Sequence, residues 1–157
     1  MSKTMNGIKF KYSSICAGVA IQPIPFADIL ILTPIQAVMG KAIANHYGIH
    51  LSEQESKDTI KQLIGVLGLG LAAQQTALGL YKIGLPGLAG FTTIPLVFGI
   101  TWGIGSVMEH YFKAKSEGRE LTHHEMKEVY KLAKKEAKKH SKNLDENELK
   151  DLGKKYK

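Results

Sequence analysis

Two uncharged, glycine-studded stretches constrain this chain more than anything else in it. Leu63–Tyr81 runs for nineteen residues and, after Lys82, Ile83–Met108 runs for twenty-six, with no Asp, Glu, Lys or Arg in either. A helical bilayer span needs about 20 apolar residues. Both stretches reach that length, and Lys82-Ile83-Gly84-Leu85-Pro86-Gly87 supplies a turn between them, so the pattern predicts a helical hairpin. Ten of the sixteen glycines fall between Gly65 and Gly105. An interior glycine costs a helix roughly 1 kcal/mol against alanine, so close packing has to offset them. Gly65, Gly68, Ala72, Thr76 and Gly79 form one small-residue stripe at helical spacing; Thr92, Pro95, Gly99, Gly103, Ser106 and His110 form a second. Such stripes let helix backbones approach in lipid, and equally in a tightly packed soluble bundle. Gln74, Gln75 and Thr76 sit midway along the first stretch, where unsatisfied polar groups in lipid would each cost several kcal/mol. Partial insertion, or insertion as an oligomer, is therefore the expectation beside simple spanning.

Charge is segregated around this middle. Residues 1–11 carry three lysines and no acid, residues 12–112 carry four lysines and five acids, and residues 113–157 carry fourteen Lys/Arg and nine acids, for a net +7. Basic ends beside apolar segments suit anionic lipid heads; a solvated tail has the same composition. Few cations flank the turn and many flank the ends, so a spanning hairpin would keep both ends in the cytoplasm. Met1–Tyr12 is not followed by a secretory apolar run and cleavage site. The expected location is the cytoplasmic side of a bacterial inner membrane, or else the cytoplasm. The domain reading is a basic lead-in over 1–14, a helical membrane-associated domain over 15–121 and a basic helical tail over 122–157.

Local signals fill in the elements. Gly7–Ala20 reads as a short helix or an extended lead-in. Gln22-Pro23-Ile24-Pro25 is a break, because proline lacks a backbone donor and restricts its predecessor. A helix then starts at Pro25, holds Asp28 near its positive end, contains Pro34 and stops at Gly48. Ser52-Glu53-Gln54-Glu55 is a capping box for a helix expected to run to about Tyr81–Gly84. Thr122-His123-His124-Glu125 is a second box. In the helix after it, Met126, Val129, Tyr130, Ala133 and Ala137 share one face, surrounded by Lys127, Lys131, Lys134, Lys135, Lys138 and Lys139. Those six lysines are the candidate membrane-surface residues, on a helix that lies on an anionic bilayer, docks a partner, or stays solvated. Leu144, Leu149 and Leu152 predict a last short helix ending before Gly153.

Chemistry-bearing patterns are weak. Gly68-Leu69-Gly70-Leu71-Ala72-Ala73 matches a dinucleotide fingerprint only in letters, since no strand precedes it and no acid follows until Glu109. Gly48 separates His46 from His50, and adjacent His123 and His124 point to different sides, so neither pair makes a metal-ligand face. Asp28 reads as a helix-start carboxylate more than as a buried ion ligand, and His110 as a capping or interfacial residue. Cys16, the single cysteine, reads as a small buried residue. No catalytic, cofactor-binding or metal residue is assigned, and no cofactor or nucleic acid is expected.

The order of motifs carries a resemblance. Pro23-Ile24-Pro25-Phe26-Ala27-Asp28-Ile29, Thr33-Pro34-Ile35-Gln36-Ala37-Val38-Met39, His46-Tyr47-Gly48-Ile49 and Leu51-Ser52, with Leu85-Pro86-Gly87-Leu88-Ala89-Gly90 and Gly105 to Phe112 later, resemble the bacterial GTPase-associated, YcjF-like helical domain over about Ile15–Leu121. That resemblance implies an all-helical, membrane-associated domain without catalytic residues, often joined to a GTPase domain; this chain has none, so a separate GTPase is the implied partner. The expectation is an all-α bundle built round the glycine-rich hairpin, with a basic amphipathic tail. Functionally it is a non-enzymatic membrane protein that self-assembles through Gly65, Gly68, Ala72, Thr76, Gly79, Gly99, Gly103 and Ser106 as a scaffold, lipid-remodelling or pore-like unit. The alternative is a soluble adaptor for a GTPase, and membrane lipid and further copies of the chain are the other expected partners.

Overall fold

The computed structural model describes residues 3–21, 27–68 and 89–155. Every regular element among them is helical: α1 (Lys3–Ala20), α2 (Ala27–His46), α3 (Glu53–Val66), α4 (Ala89–Ser116), α5 (His123–His140), a 3-10 turn (Ser141–Asn143) and α6 (Glu146–Lys154). The all-α expectation holds.

The bundle is organised round α4. This helix packs against α1, α2 and α5, while α6 packs on α1 and α3 on α2. Residues 97–109 are buried without interruption, and Phe98, Trp102, Ile104, Val107, Met108 and Phe112 lie in the interior. A helix that is apolar all round is either the centre of a protein or a membrane span, and here it is the centre. This corrects the membrane reading. Among the described residues no helix is long and apolar enough to cross a membrane. The second half of the expected hairpin is covered by the chain's own helices. Residues 69–88, which hold most of its first half with Ala72, Gln74, Gln75, Thr76 and Gly79, the turn and the start of its second half, lie outside the described residues.

Helix boundaries follow local chemistry. The Ser52 hydroxyl accepts from the Glu55 amide and the Glu55 carboxylate accepts from the Ser52 amide at 2.8 Å, and Thr122 and Glu125 repeat the arrangement at α5. Asp145 caps α6 by accepting from the amides of Asn147 and Glu148. Gly48, Gly68 and Gly118 adopt φ of 72°, 69° and 70°, a conformation glycine enters without steric penalty. Gly68 ends α3 well before the expected Tyr81–Gly84. Pro34 lies inside α2, and Asp28 in its first turn.

The two flanking segments are not appendages. The supposed lead-in belongs to α1, with Met5 and Lys9 fully buried. The supposed tail contributes Met126, Ala133, Ala137 and Leu149 to the core. Gly153 does not end the last helix but lies within it, because α6 crosses α1 there. A Cβ on Gly153 would stand 2.3 Å from the Gly18 carbonyl oxygen, and one on Gly18 would stand 2.0 Å from that of Leu149.

Gly153→Ala is expected to lower unfolding free energy by about 1–3 kcal/mol, as overpacking does, because backbone blocks the new methyl. Gly65→Ala, whose Cβ meets nothing within 4 Å among the described residues, should be neutral or stabilising by up to about 1 kcal/mol. Urea denaturation of both variants checks the pair. A second test uses pH. Hydrogen bonds from Ser52, from its side chain and then its backbone, hold the Glu55 carboxyl below its ordinary range; the Thr122 backbone, then its hydroxyl, then Arg119 do so for Glu125. A depressed folded pKa gives stability that is complete above the unfolded value and is lost as pH falls through the folded one. Glu55→Gln/Glu125→Gln should therefore flatten the acid limb of stability against pH, measured by denaturation across the carboxylate range.

Candidate functional site

Two features stand out: a lysine socket inside the bundle and a lysine face outside it. The socket is built on one stripe of α4. Trp102, Gly105, Ser106 and Glu109 are spaced i, i+3, i+4, i+7, so they share a face. Lys9 of α1 enters this face with 0% exposure. Its Nζ lies 2.8 Å from Glu109 Oε2 and 3.3 Å from Ser106 Oγ, and 5.0 Å from the centroid of the Trp102 ring. Gly105 makes room for the lysine stem: a Cβ there would stand 3.0 Å from Lys9 Cγ. An ion pair taken out of water costs several kcal/mol per ion, offset only when geometry and further hydrogen bonds are good. Carboxylate, hydroxyl and aromatic face together supply those contacts.

Around the socket lies more polar burial. Of the eight buried polar or charged side chains among the described residues, Lys9, Ser13 and Ser14 belong to α1 and Thr101, Ser106 and Glu109 to α4. Among the described residues, Asn6 Oδ1, Ser13 Oγ, Ser14 Oγ and the Trp102 indole nitrogen are buried with no hydrogen-bond partner. Trp102 is stacked between Phe98, 5.8 Å between centroids, and His140 of α5, 4.3 Å. Cys16 is buried on α1, and desolvation pushes its thiol up to about 12 against the opposing effect of the Thr101 hydroxyl. It is a small core residue, as expected, and a poor nucleophile.

The outer face belongs to α5. Met126, Ala133 and Ala137 hold that helix on the core. Tyr130 leans over Gly103, where a Cβ would stand 2.5 Å from its ring, and burial raises its phenol to about 12. The opposite side carries the six lysines, all exposed. At 100° per residue they run in the order Lys134, Lys127, Lys138, Lys131, Lys135, Lys139 over about 140° of the helix surface. Leu132, 62% exposed, sits at the edge of this band. The apolar stripe expected to lie on a bilayer is thus committed to the protein interior; what α5 presents outward is the lysine band alone.

The remaining expected residues fall as follows. Gly103 packs within the chain against Tyr130, and Ser106 bonds Lys9, so the second stripe makes intramolecular contacts. Gly99 is buried and Gly65 exposed, and among the described residues a Cβ on either meets nothing within 4 Å. His110 Nδ1 lies 2.8 Å from the Ser106 carbonyl one turn back, within α4 rather than at its end, so it does not cap the helix. His50 meets Asn45 at 3.3 Å, and His46, His123 and His124 are exposed. No group of three or more metal-binding side chains occurs among the described residues. A hollow of about 360 Å³ beside α5 is lined by Lys115 and Arg119 but also Glu120, while Arg119 is engaged with Glu125 at 3.0 Å. A second hollow of about 360 Å³ between α1 and α6 has a largely apolar floor with both signs of charge on its rim. Lys9 was missed as a site residue because nothing near it in sequence announces a partner a hundred positions away. The signal that existed was the Trp-x-x-Gly-Ser-x-x-Glu face it enters.

No protein-family model, curated protein or solved structure matches the chain.

Glu109→Leu alone is expected to lower stability by about 3–5 kcal/mol, since it strands a buried ammonium; the loss is measurable by urea unfolding.

Proposed function

We propose that the protein is a helical interaction module whose α5 lysine face docks an acidic surface of a partner protein. The observation that carries this reading is the division of α5. One side is locked into the core, and the other holds six exposed lysines with an exposed leucine beside them. Long flexible ammonium groups match scattered carboxylates as point charges, and Leu132 offers an apolar contact at the edge of the patch. Glu128 lies within the band and Glu136 beside it. The band holds no arginine, the group that reads phosphates bidentately, and no Phe or Trp to stack on bases; its rings are the imidazoles of His123 and His124 in the first turn and the half-buried Tyr130 beneath Lys134. These features favour a protein partner over nucleic acid. Basic patches of this kind accelerate encounter and fix orientation more than they add affinity.

The probe is fluorescent poly-L-glutamate, with duplex DNA and anionic phospholipid vesicles as comparison arms. Binding to polyglutamate at low salt is expected, weakening as salt screens the charges. Lys131→Glu/Lys135→Glu/Lys138→Glu should reduce it about tenfold or more with an unchanged melting curve. No binding to polyglutamate, equal binding by the triple variant, or preference for DNA or vesicles overturns the proposal.

A further inference from the structure

The polar burial at one interface points to a moving part. Among the described residues, α1 and α4 share six of the eight buried polar or charged side chains, whereas the other two, Gln36 and Ser56, are on α2 and α3. The Ser56 hydroxyl donates to the Ala37 carbonyl at 2.6 Å, so that interface is satisfied. The α1 interfaces are not: among the described residues Asn6 Oδ1, Ser13 Oγ and Ser14 Oγ of α1, the last on the side toward α6, and Thr101 Oγ1 and the Trp102 indole nitrogen of α4 lack partners, and an unsatisfied buried group costs about as much as a hydrogen bond gains, or more. We propose that α1 is a releasable latch, which swings away from α4 as a unit while α2, α3, α4 and α5 stay folded.

The asymmetry between closing and opening supports this. Closing α1 buries Met5, Ile15, Ala17 and Val19, which favours the docked state. It also dehydrates the Lys9 ammonium, the Glu109 carboxylate and three polar side chains that gain no partner. Opening returns all of these to water in one step. Separation of α4 from α5 returns less: that contact is made by Trp102, Ala133, Ala137 and Met126, it holds no ion pair, and among the described residues it frees only the Tyr130 hydroxyl and the Trp102 indole nitrogen. Sub-global openings of this kind occur where burial is least well compensated. The latch is specific rather than loose. Lys9 fits one socket only, so re-docking restores one register, the use for which buried ion pairs are best attested. Release also uncovers Phe98 and Trp102 on α4. The inference does not rest on the docking of the lysine face.

Two readouts on the full chain test it. Amide hydrogen exchange by mass spectrometry should show α1 exchanging at least about tenfold faster than α4, with a weaker dependence on denaturant. Cys16, buried on α1, should react with a maleimide at the α1 opening rate under native conditions. Replacing the pair by apolar groups, Lys9→Met/Glu109→Leu, should slow both processes about tenfold. Ser13→Ala/Ser14→Ala should slow them in the same direction and removes no ion pair, which keeps the test informative if the first variant misfolds. Equal exchange rates and denaturant dependence for α1 and α4 would overturn the latch. So would Cys16 labelling that tracks global unfolding, or serine variants that leave α1 exchange unchanged.

Discussion

The bundle depends on how α4 is enclosed, and the Lys9–Glu109 pair is where that enclosure is most exacting. The rest of α4 buries aliphatic and aromatic groups, which tolerate small slips against their neighbours. A buried ammonium tolerates none: moved by one turn it would lose its carboxylate, its hydroxyl and the face of Trp102 together. The pair therefore sets the register of α1 on α4, and α6 inherits its position from α1 through the Gly18–Gly153 crossing. Trp102 extends the same control outward, since its other side stacks on His140 at the end of α5. Three helices thus take their alignment from one stripe of α4.

Much of the fold was legible because its signals are local. Both capping boxes occur where Ser52 and Thr122 precede a glutamate by three residues, and Gly48 stops α2 through its positive φ. The helical class followed from such signals. The environment of the apolar helices did not, because an all-round apolar helix looks the same to water whether lipid or protein covers it. What covers α4 is set by α1, α2 and α5, and the decisive residue, Lys9, is separated from its socket by most of the chain. Which glycines are crowded was not legible for the same reason. Among the described residues a Cβ on Gly65 or Gly99 meets nothing within 4 Å, whereas Gly18, Gly103, Gly105 and Gly153 are crowded by segments distant in sequence.

The lysine face was visible as a periodicity, and its meaning changed once the other side of α5 was placed. An amphipathic helix that lies in a membrane interface needs its apolar face free. With Met126, Ala133 and Ala137 in the core, the six ammonium groups stand on a rigid support rather than on a floating helix. Rigidity lowers the entropy lost on binding, and it fixes the spacing at which opposing carboxylates have to be offered.

The contact of Gly18 with Gly153 joins the first helix to the last. On the ribosome, α1 emerges well before its socket on α4 and its crossing partner on α6, which follow about 100 and 135 positions later. Contacts of such long sequence separation slow folding. With synthesis proceeding at about 5–20 residues per second, α1 waits several seconds as a basic, half-apolar helix without its mates. Native docking of α1 therefore waits for α4 and α6 to be made, and α1 is the helix that most needs shielding in the interval.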